Sequence, residues 1–382
     1  MGNNALIVLE DGTYIKGTPI GVEGFVAGQI IFNTAHVGYQ ETLTDPSYAA
    51  QIIVFTTPHI GNIGCNHEDE ESSKVWASGL VLKEKPTKSF YWRSKYNLQE
   101  YLEINNVVGI AQIDTRQLTH LVRARGNLSA CIATEDCSIA EAKDIAKQYH
   151  EINSPQLLNK VSTVHPYVRQ SNSVQLPIKK PHIVVYDFGV KNNILRQLEQ
   201  FGCNITVVPA LTPLWNLYKL NPDGIVLSNG PGNPLSYTKI IEKVKFLIKL
   251  QIPILGICLG HQLLGLALGA KIEKLQFGHH GINHPIKELF TEQVFVTSQN
   301  HNFCLSDKEL PNEIRVTYRS LFDSSIQGIK HKYKPLFGIQ GHPEGSPGPT
   351  DIGLIFREFI QEVFQYNKTL NYELNQCLKI PA

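Results

Sequence analysis

GICLGHQ, at residues 256–262, places one cysteine, Cys258, between two largely apolar runs. Residues 252–255 precede this stretch and residues 263–268 follow it. An apolar strand, a glycine-flanked turn and then a helix form a nucleophile elbow, in which hydrolases usually carry serine. The turn needs glycine on both sides because a side chain there would collide with the neighbouring strand or helix.

The elbow holds the sulfur at a helix N-terminus, where unpaired N–H groups and the helix dipole stabilise a thiolate. A lone cysteine is more often a small buried hydrophobe. The frame around Cys258 favours the other interpretation, and we predict that this cysteine is a nucleophile.

A base for this nucleophile is offered by QGHPE, residues 340–344, which follows the apolar run 336–339. Residues two apart on an extended chain point the same way, so His342 and Glu344 can act as a base and its orienting carboxylate. A cysteine nucleophile needs this pair because the imidazole moves the proton while the carboxylate fixes its tautomer. The alternative is a surface His-Pro turn without a catalytic role.

The composition indicates a soluble, cytoplasmic protein of two domains. The 382 residues exceed one ordinary core. Lys and Arg number 35 against 34 Asp and Glu, which argues against binding to nucleic acid or to an anionic membrane. Seven scattered cysteines, an odd number, indicate reduced thiols. No signal sequence is apparent, and the one run that approaches membrane-spanning length, 254–270, has His261 and Gln262 at its centre.

The two halves of the chain have different patterns. Residues 1–150 read as a β-rich α+β domain, in which Asp11-Gly12 joins two short strands into a hairpin. A helix in this half begins after Asp114 as N-cap and stops at Gly126. The proline-punctuated residues 151–180 are predicted to link the domains.

Strands and helices alternate from residue 181 to residue 370. We predict helices at 191–200 and 237–250, and strands at 182–188, 204–209, 224–228, 252–257 and 336–339. This alternation predicts an α/β domain with a mainly parallel sheet covered by helices. Catalytic groups in such domains lie at the carboxyl ends of the strands. Residues 371–382 are predicted to form a C-terminal tail.

The frames around Cys258, His342 and Glu344 resemble the triad of class I glutamine amidotransferases. Further motifs resemble the small subunits of carbamoyl-phosphate synthases over residues 5–364. In the second half they are YDFG at 186–189, SNGPGNP at 228–234, FGHHG at 277–281 and HPEGSPGP at 342–349. In the first half they are GYQE at 38–41, LTDPSY at 43–48, PHIGN at 58–62, EDEES at 68–72 and IDTR at 113–116. The first-half set is the specific one, because generic amidotransferase domains lack it.

The resemblance implies a class I glutamine amidotransferase domain preceded by the family's own N-terminal domain. It implies that the backbone N–H groups of Gly232 and Leu259 form an oxyanion hole. It also implies a set of glutamine contacts: Ser47, Gly230, Gly232, Leu259, Gln262, Asn300, Asn302 and Phe303. Because Ser47 belongs to the first domain, the pocket would lie against the domain junction.

The resemblance further implies hydrolysis of glutamine to glutamate and ammonia through a glutamyl thioester. The ammonia would pass through a tunnel to a large subunit, which binds ATP and Mg²⁺ and makes carbamoyl phosphate from bicarbonate. This chain has no G-x-x-x-x-G-K-[ST] loop, and we expect no cofactor on it.

Two other features have simpler interpretations. His279, His280 and His284 lie close together, but no cysteine or carboxylate set accompanies them at a recognised spacing, so we expect no metal. The acidic run 68–71 is typical of a solvated face, and the resemblance gives it a structural or interface role.

The chain departs from the family pattern at three places. Asn302 stands where the family usually has glycine, and asparagine is the residue best able to replace glycine at positive φ. Residues 35–37 read Ala-His-Val where Ser/Gly-Met-Thr is usual, and Gln276 replaces a common lysine.

Two alternatives therefore stay open. One is an amidotransferase that serves another synthase, for example one for anthranilate or GMP. The other is a catalytically weak paralogue that binds glutamine or the large subunit as a regulatory partner.

Overall fold

Seven strands in the first half of the chain close into a barrel. The computed structural model describes residues 5–126, 128–134, 137–170 and 180–377, and the side chains of all of these except 151 and 368–377. The barrel strands are β1 (Ala5–Leu9), β2 (Tyr14–Gly21), β3 (Phe25–Asn33), β4 (Gln51–Phe55), β5 (Gly79–Val81), β6 (Val108–Ala111) and β7 (Ser129–Ala133). Their order around the barrel is β1-β2-β6-β5-β4-β3-β7. Strands β1 and β2 pair antiparallel, which confirms the predicted hairpin.

Both faces of the barrel wall are buried. Ile30 and Ile52 belong to one hydrophobic cluster, whereas their neighbours Ile31 and Ile53 belong to another. Successive side chains of a strand point to opposite faces, so a run of apolar residues serves two cores at once.

Short helices surround the barrel. They are α1 (Tyr39–Thr44), α2 (Leu98–Ile104), α3 (Thr115–Arg125), α4 (Ile139–Lys147) and α5 (Leu157–Val161). The predicted helix is confirmed as α3, because the Asp114 carboxylate accepts the N–H of Gln117 at 2.9 Å and Gly126 follows the last residue with φ +88°. Leu118 and Val122 of α3 pack into the same cluster as Ile30.

The second half forms a ten-stranded sheet. Its strands are β8 (Tyr167–Arg169), β9 (His182–Asp187), β10 (Asn204–Pro209), β11 (Gly224–Leu227), β12 (Ile254–Ile257), β13 (Ile272–Glu288), β14 (Val294–Leu305), β15 (Ile314–Ser320), β16 (Ile326–His331) and β17 (Leu336–Ile339). The order is β14-β13-β15-β16-β17-β12-β11-β9-β10-β8. The five strands from β17 to β10 are parallel, as predicted.

Antiparallel strands extend this parallel centre on both sides, so the whole sheet is mixed. The sequence pattern did not reveal β13 and β14, since residues 277–284 and 298–302 are mostly glycine, histidine, asparagine and glutamine. Strand propensity favours β-branched and aromatic residues, of which these segments contain only Phe277 and Ile282.

Helices cover both faces of the sheet. They are α6 (Asn192–Gln200), α7 (Leu214–Leu220), α8 (Thr238–Lys249), α9 (Leu259–Ala267) and α10 (Leu354–Cys377). Val185 packs in one cluster with residues of α6 and α10, and its neighbour Val184 packs in another with residues of α8 and α9.

The segment predicted as a linker contains regular structure. Helix α5 lies within it, and β8 adds to the edge of the sheet through antiparallel pairing with β10. Residues 171–179 lie outside the described residues. The predicted boundary at residue 370 falls inside α10, so residues 371–377 belong to this helix, and 378–382 are not among the described residues. The linker was predicted from polar, proline-punctuated sequence, and a short edge strand does not stand out in such a segment.

Candidate active site

The strand-turn-helix frame around Cys258 is present. Strand β12 ends at Ile257 and α9 begins at Leu259. Cys258 between them has a backbone φ of +52°, a value that residues other than glycine rarely adopt. A Cβ atom on Gly260 would lie 2.0 Å from the carbonyl oxygen of Leu227 in the neighbouring strand β11. The glycine is therefore what lets α9 approach the sheet closely enough to form the elbow.

Cys258 is 2 % exposed and polar groups surround its sulfur. The thiol donates to the main-chain oxygen of Asn300 at 3.6 Å, and the side-chain amide of Gln340 donates to the sulfur at 3.8 Å. The sulfur thus faces the end of β17 on one side and β14 on the other.

The predicted base and carboxylate are in contact. Nδ1 of His342 lies 2.7 Å from Oε1 of Glu344, and both side chains are buried. Lys191 donates from Nζ to the same carboxylate oxygen at 2.7 Å and is itself 1 % exposed. Among the described residues, Nε2 of His342 has no hydrogen-bond partner. The imidazole is held by one nitrogen and leaves the other available.

These contacts set the charges of the site. Burial and the Lys191 ammonium lower the pKa of His342, but the Glu344 carboxylate and the Cys258 thiol together outweigh them and raise this pKa to about 10. Burial raises the pKa of Glu344, but Lys191 and His342 together lower it to about 2. The pair therefore consists of an imidazolium and a carboxylate at neutral pH, which is the state that stabilises a neighbouring thiolate.

One small cavity beside Cys258 brings together all the predicted glutamine contacts except Leu259. It is lined by Ser47, Gly230, Gly232, Gln262, Asn300, Asn302 and Phe303, and also by Gln51, Ile152, Pro231 and His301, which the sequence interpretation did not include. Leu259 directly follows Cys258, at the first position of α9. The cavity measures about 20 Å³, so it must open to admit a glutamine side chain.

The two glycines of the loop 230–232 leave no space for a side chain. A Cβ atom on Gly230 would lie 2.1 Å from the carbonyl oxygen of Phe188, and one on Gly232, where φ is +89°, would lie 2.3 Å from the hydroxyl of Tyr237. Leu259 lies in the first turn of α9, where N–H groups have no carbonyl partner within the helix. The loop and the helix start both border Cys258, as an oxyanion hole requires.

Ser47 reaches the cavity from the first domain and is held by the second. The side chain of Asn229 donates to Oγ of Ser47 at 2.8 Å and to Asp45 at 3.2 Å, while its own oxygen accepts the N–H of Lys191 at 3.2 Å. Asn229 and Lys191 are positioning residues that the sequence interpretation missed. A signal was present for Lys191, a charged residue directly after the largely apolar stretch 182–190.

Asn302 fills part of the cavity. It has negative φ within β14, so the position does not need a glycine-like backbone. Its side-chain oxygen lies 3.1 Å from Nε2 of His280, its amide donates to Gln29 of the first domain at 3.2 Å, and a Cβ atom on Gly278 would meet it at 2.4 Å. The departure from glycine therefore changes the volume of the pocket rather than the backbone.

The other two departures lie apart from the triad. Ala35 is buried and its N–H binds the side chain of Asn33 at 2.8 Å, whereas His36 and Val37 are exposed. Gln276 donates to the main-chain oxygen of Arg123 at 3.1 Å and so links β13 to α3.

The histidine cluster is buried and its rings pack against one another. The rings of His279 and His284 are 5.3 Å apart, and His279 contacts Asp323 at 2.9 Å. Burial lowers the pKa of His284 to about 3 and that of His280 to about 4. Within the described ranges, no group of three or more His, Cys, Asp or Glu side chains is arranged to hold a metal ion. The expectation of no metal stays a prediction.

The cysteines with described side chains are free: Cys65, Cys131, Cys137, Cys203, Cys258 and Cys304. No helix in the described part of the chain has the length and apolar character needed to cross a membrane.

Two protein families match successive parts of the chain. Residues 7–132 match the carbamoyl-phosphate synthase small chain, CPSase domain, and residues 184–362 match glutamine amidotransferase class-I. The carbamoyl phosphate synthase small chain of Pasteurella multocida is 48 % identical over 374 residues, which cover 96 % of this chain and 97 % of that protein. The small chain of Vibrio cholerae is 47 % identical over 377 residues, covering 96 % and 100 %. That of Escherichia coli O6:H1 is 47 % identical over 380 residues, covering 97 % and 100 %.

Proposed function

Since the chain belongs to the carbamoyl phosphate synthase small-chain family, it is a glutamine-hydrolysing ligase subunit, and we propose that Cys258, His342 and Glu344 perform the hydrolysis. The single observation that carries this proposal is that two separate sequence motifs, one with the cysteine and one with the histidine and glutamate, lie at the ends of neighbouring strands. The elbow places Cys258 at the carboxyl end of β12. The adjacent parallel strand β17 places the His342–Glu344 pair at the same end of the sheet.

The reaction begins with attack of the Cys258 thiolate on the side-chain amide carbon of glutamine. The carbonyl oxygen becomes an oxyanion, which the N–H groups of Gly232 and Leu259 stabilise. Each donor of this kind contributes about 3 kcal/mol of transition-state stabilisation. The close-packed glycine loop supports this role, because only bare backbone can approach the substrate there.

His342 then acts as a general acid. Its imidazolium gives a proton to the departing nitrogen, the C–N bond breaks, and ammonia leaves behind a glutamyl thioester on Cys258. The neutral imidazole next takes a proton from water, and the resulting hydroxide attacks the thioester carbon. The C–S bond then breaks, which releases glutamate and returns the Cys258 thiolate. Glu344 holds Nδ1 of the ring throughout, and Lys191 holds Glu344.

The pocket residues would recognise the rest of glutamine. Ser47 and Gln51 are polar side chains on the first-domain side, Gln262 comes from α9, and Asn300 comes from β14, where the Asn302 side chain takes up part of the space. Gln262 is already oriented, because its amide donates to the main-chain oxygen of Phe303 at 2.7 Å. The polar lining suits a substrate with a carboxamide at one end and charged groups at the other, once the cavity opens to admit it.

The partner of this chain would be a carbamoyl phosphate synthase large subunit. The chain would supply ammonia to it, and the large subunit would consume ATP, with Mg²⁺, and bicarbonate. The support is the match of residues 7–132 to the family's own small-chain domain, which an amidotransferase of another synthase would lack. We expect the complex to be cytoplasmic.

The chemistry is tested by trapping the intermediate. Wild-type chain mixed with glutamine and quenched in acid should carry a glutamyl group on the peptide that contains Cys258, as detected by mass spectrometry. The His342→Asn variant should bind glutamine without forming the adduct. An adduct on another residue, or none on a chain that still releases ammonia, would refute the role of Cys258.

A further inference from the structure

One carboxylate of the acidic run 68–71 differs from the others. The side chain of Glu68 is 80 % exposed and those of Asp69 and Glu70 are partly exposed, but that of Glu71 is 0 % exposed. Burying a carboxylate costs several kcal/mol unless hydrogen bonds or opposite charges offset the lost hydration. The partners of Glu71 therefore indicate why it is buried.

Among the residues that the structure describes, every side-chain partner of Glu71 belongs to the other domain. Its Oε2 accepts the main-chain N–H of Asn193 at 2.9 Å, and its Oε1 accepts the hydroxyl of Ser346 at 2.7 Å and lies 3.4 Å from Arg196. Its main-chain oxygen accepts the N–H of Asn192 at 2.8 Å. From its own domain, the hydroxyl of Thr44 accepts the N–H of Glu71 at 2.9 Å.

Glu71 serves as the missing cap of α6. The helix has nine residues, and Lys191 at its N-cap position makes no capping hydrogen bond with its side chain. The first N–H groups of a helix need an acceptor, and the helix dipole favours a negative charge there. The first domain supplies both through Glu71.

Glu71 joins the start of α6 to the segment 344–346, and both of these hold the Glu344 carboxylate in place. Lys191, at the start of α6, binds Oε1 of Glu344, and the side chain of Asn193 donates to the main-chain oxygen of Glu344 at 2.5 Å. Ser346 lies two residues beyond Glu344. One carboxylate from the first domain thus fixes α6 and the 344–346 segment relative to each other.

The charge of Glu71 acts on the same group. Lys191 loses hydration on burial, but Glu344, Asp45 and Glu71 raise its pKa and keep it an ammonium ion. The ammonium in turn keeps Glu344 ionised beside His342. The chain of contacts runs from Glu71 through α6 to the imidazole.

We propose that Glu71 is a positioning residue of the glutaminase site, through which the first domain holds Lys191 and Glu344 in the geometry that orients His342. This inference rests on the proposed function. Glu71 touches no substrate, and it acts through the start of α6 and through Ser346.

The test compares Glu71→Gln with Glu68→Gln, in the chain assembled with its large subunit. Glu71→Gln keeps the size of the side chain and removes its charge. We expect kcat for ammonia release to fall roughly 10- to 100-fold, because small displacements of reacting groups have effects of this size. KM for glutamine should stay within about twofold, since the pocket contacts are unchanged. Glu68→Gln, which alters an exposed carboxylate of the same run, should leave both parameters at the wild-type value.

The pH profile separates positioning from a general loss of structure. If Glu344 is displaced, it raises the pKa of His342 less, so the basic limb of kcat/KM moves to lower pH in Glu71→Gln. Ser346→Ala provides a second variant if Glu71→Gln does not fold, and it should shift the limb in the same direction with a smaller loss of kcat. A folded Glu71→Gln with the kcat and pH profile of Glu68→Gln overturns the inference, and so does Ser346→Ala with the wild-type profile.

The wild type and Cys258→Ser are measured in the same series. If the wild type releases ammonia and Cys258→Ser does not, the proposed function stands and the Glu71 variants decide the inference alone. If the wild type releases none, the proposed function fails and the inference fails with it.

Discussion

Lys191, Glu344 and His342 form a buried chain of charges in which each member sets the protonation of the next. Glu344 holds the imidazole by Nδ1 and Lys191 holds Glu344, both at 2.7 Å. Without the carboxylate, burial and the Lys191 ammonium would both disfavour an imidazolium. A negative charge on the Cys258 sulfur would then have no counter-charge.

Glu344→Gln should therefore slow the reaction of Cys258 with iodoacetamide near neutral pH. The pKa of His342 is raised by Glu344, so its imidazolium persists above pH 7 in the wild type and is lost at lower pH in the variant. We expect alkylation at pH 7 to be slower by about tenfold or more, the change that one pKa unit produces. Cys258→Ser gives the background from the partly exposed Cys137, and an unchanged pH profile in Glu344→Gln would contradict this charge assignment.

Asn302→Gly should improve glutamine binding. The Asn302 side chain borders a cavity of about 20 Å³, and removing it enlarges the space that the substrate must enter. We expect KM to fall several-fold with kcat nearly unchanged, at a cost of about 0.5–1 kcal/mol in stability from glycine in a strand. Steady-state kinetics with urea unfolding as the stability measurement would check it. A higher KM would mean that the carboxamide itself binds glutamine.

At the scale of secondary-structure elements, the elbow depends on how closely α9 approaches the parallel strands. Gly260→Ala should destabilise the protein by about 1–3 kcal/mol, the usual effect of overpacking, because the new Cβ would lie 2.0 Å from the oxygen of Leu227. Gly353→Ala is the matched control, since its nearest neighbour, the oxygen of Pro343, would be 3.6 Å away. Urea unfolding compares the two. Equal midpoints would show that the elbow tolerates a side chain.

The elements that repeat a simple period could be predicted from the sequence. Strands β9 to β12 and helices α6 and α8 combine apolar runs with glycine or proline boundaries, and α3 has both its caps in the local sequence. The triad frames also follow single strands, which is why Cys258 and His342 could be placed at one edge of the sheet before their contacts were known.

The elements that line the site could not be predicted in this way. Strands β13 and β14 carry polar residues because they face the pocket, so their composition reflects contacts made far along the chain. Lys191 and Asn229 take their roles from Glu344 and Ser47, which are more than a hundred residues distant. Local periodicity contains no information on such pairs.

At the scale of the whole molecule, the pocket is built by both domains. Ser47 and Gln51 come from the first domain, and Cys258 with the glycine loop comes from the second. The Asn229 side chain joins the two across the junction by donating to Ser47, which lines the same cavity as Cys258.

Asn229→Ala should therefore raise KM for glutamine, by about threefold to tenfold if one hydrogen bond of about 1 kcal/mol positions Ser47. Asn283→Ala removes another contact between the domains, the 3.2 Å hydrogen bond to Thr34, at an exposed position outside the pocket lining. It should leave KM unchanged. A KM that rises equally in both variants would indicate a general loosening of the junction instead of a role for Asn229 in the pocket.

The most direct measurement is ammonia release from glutamine by the purified chain, alone and with a carbamoyl phosphate synthase large subunit, beside Cys258→Ser. We predict release that increases with the partner and disappears in the variant. A folded chain that binds the large subunit but releases no ammonia in either state would contradict a glutaminase site at Cys258. It would leave a regulatory, glutamine-binding partner as the description of this protein.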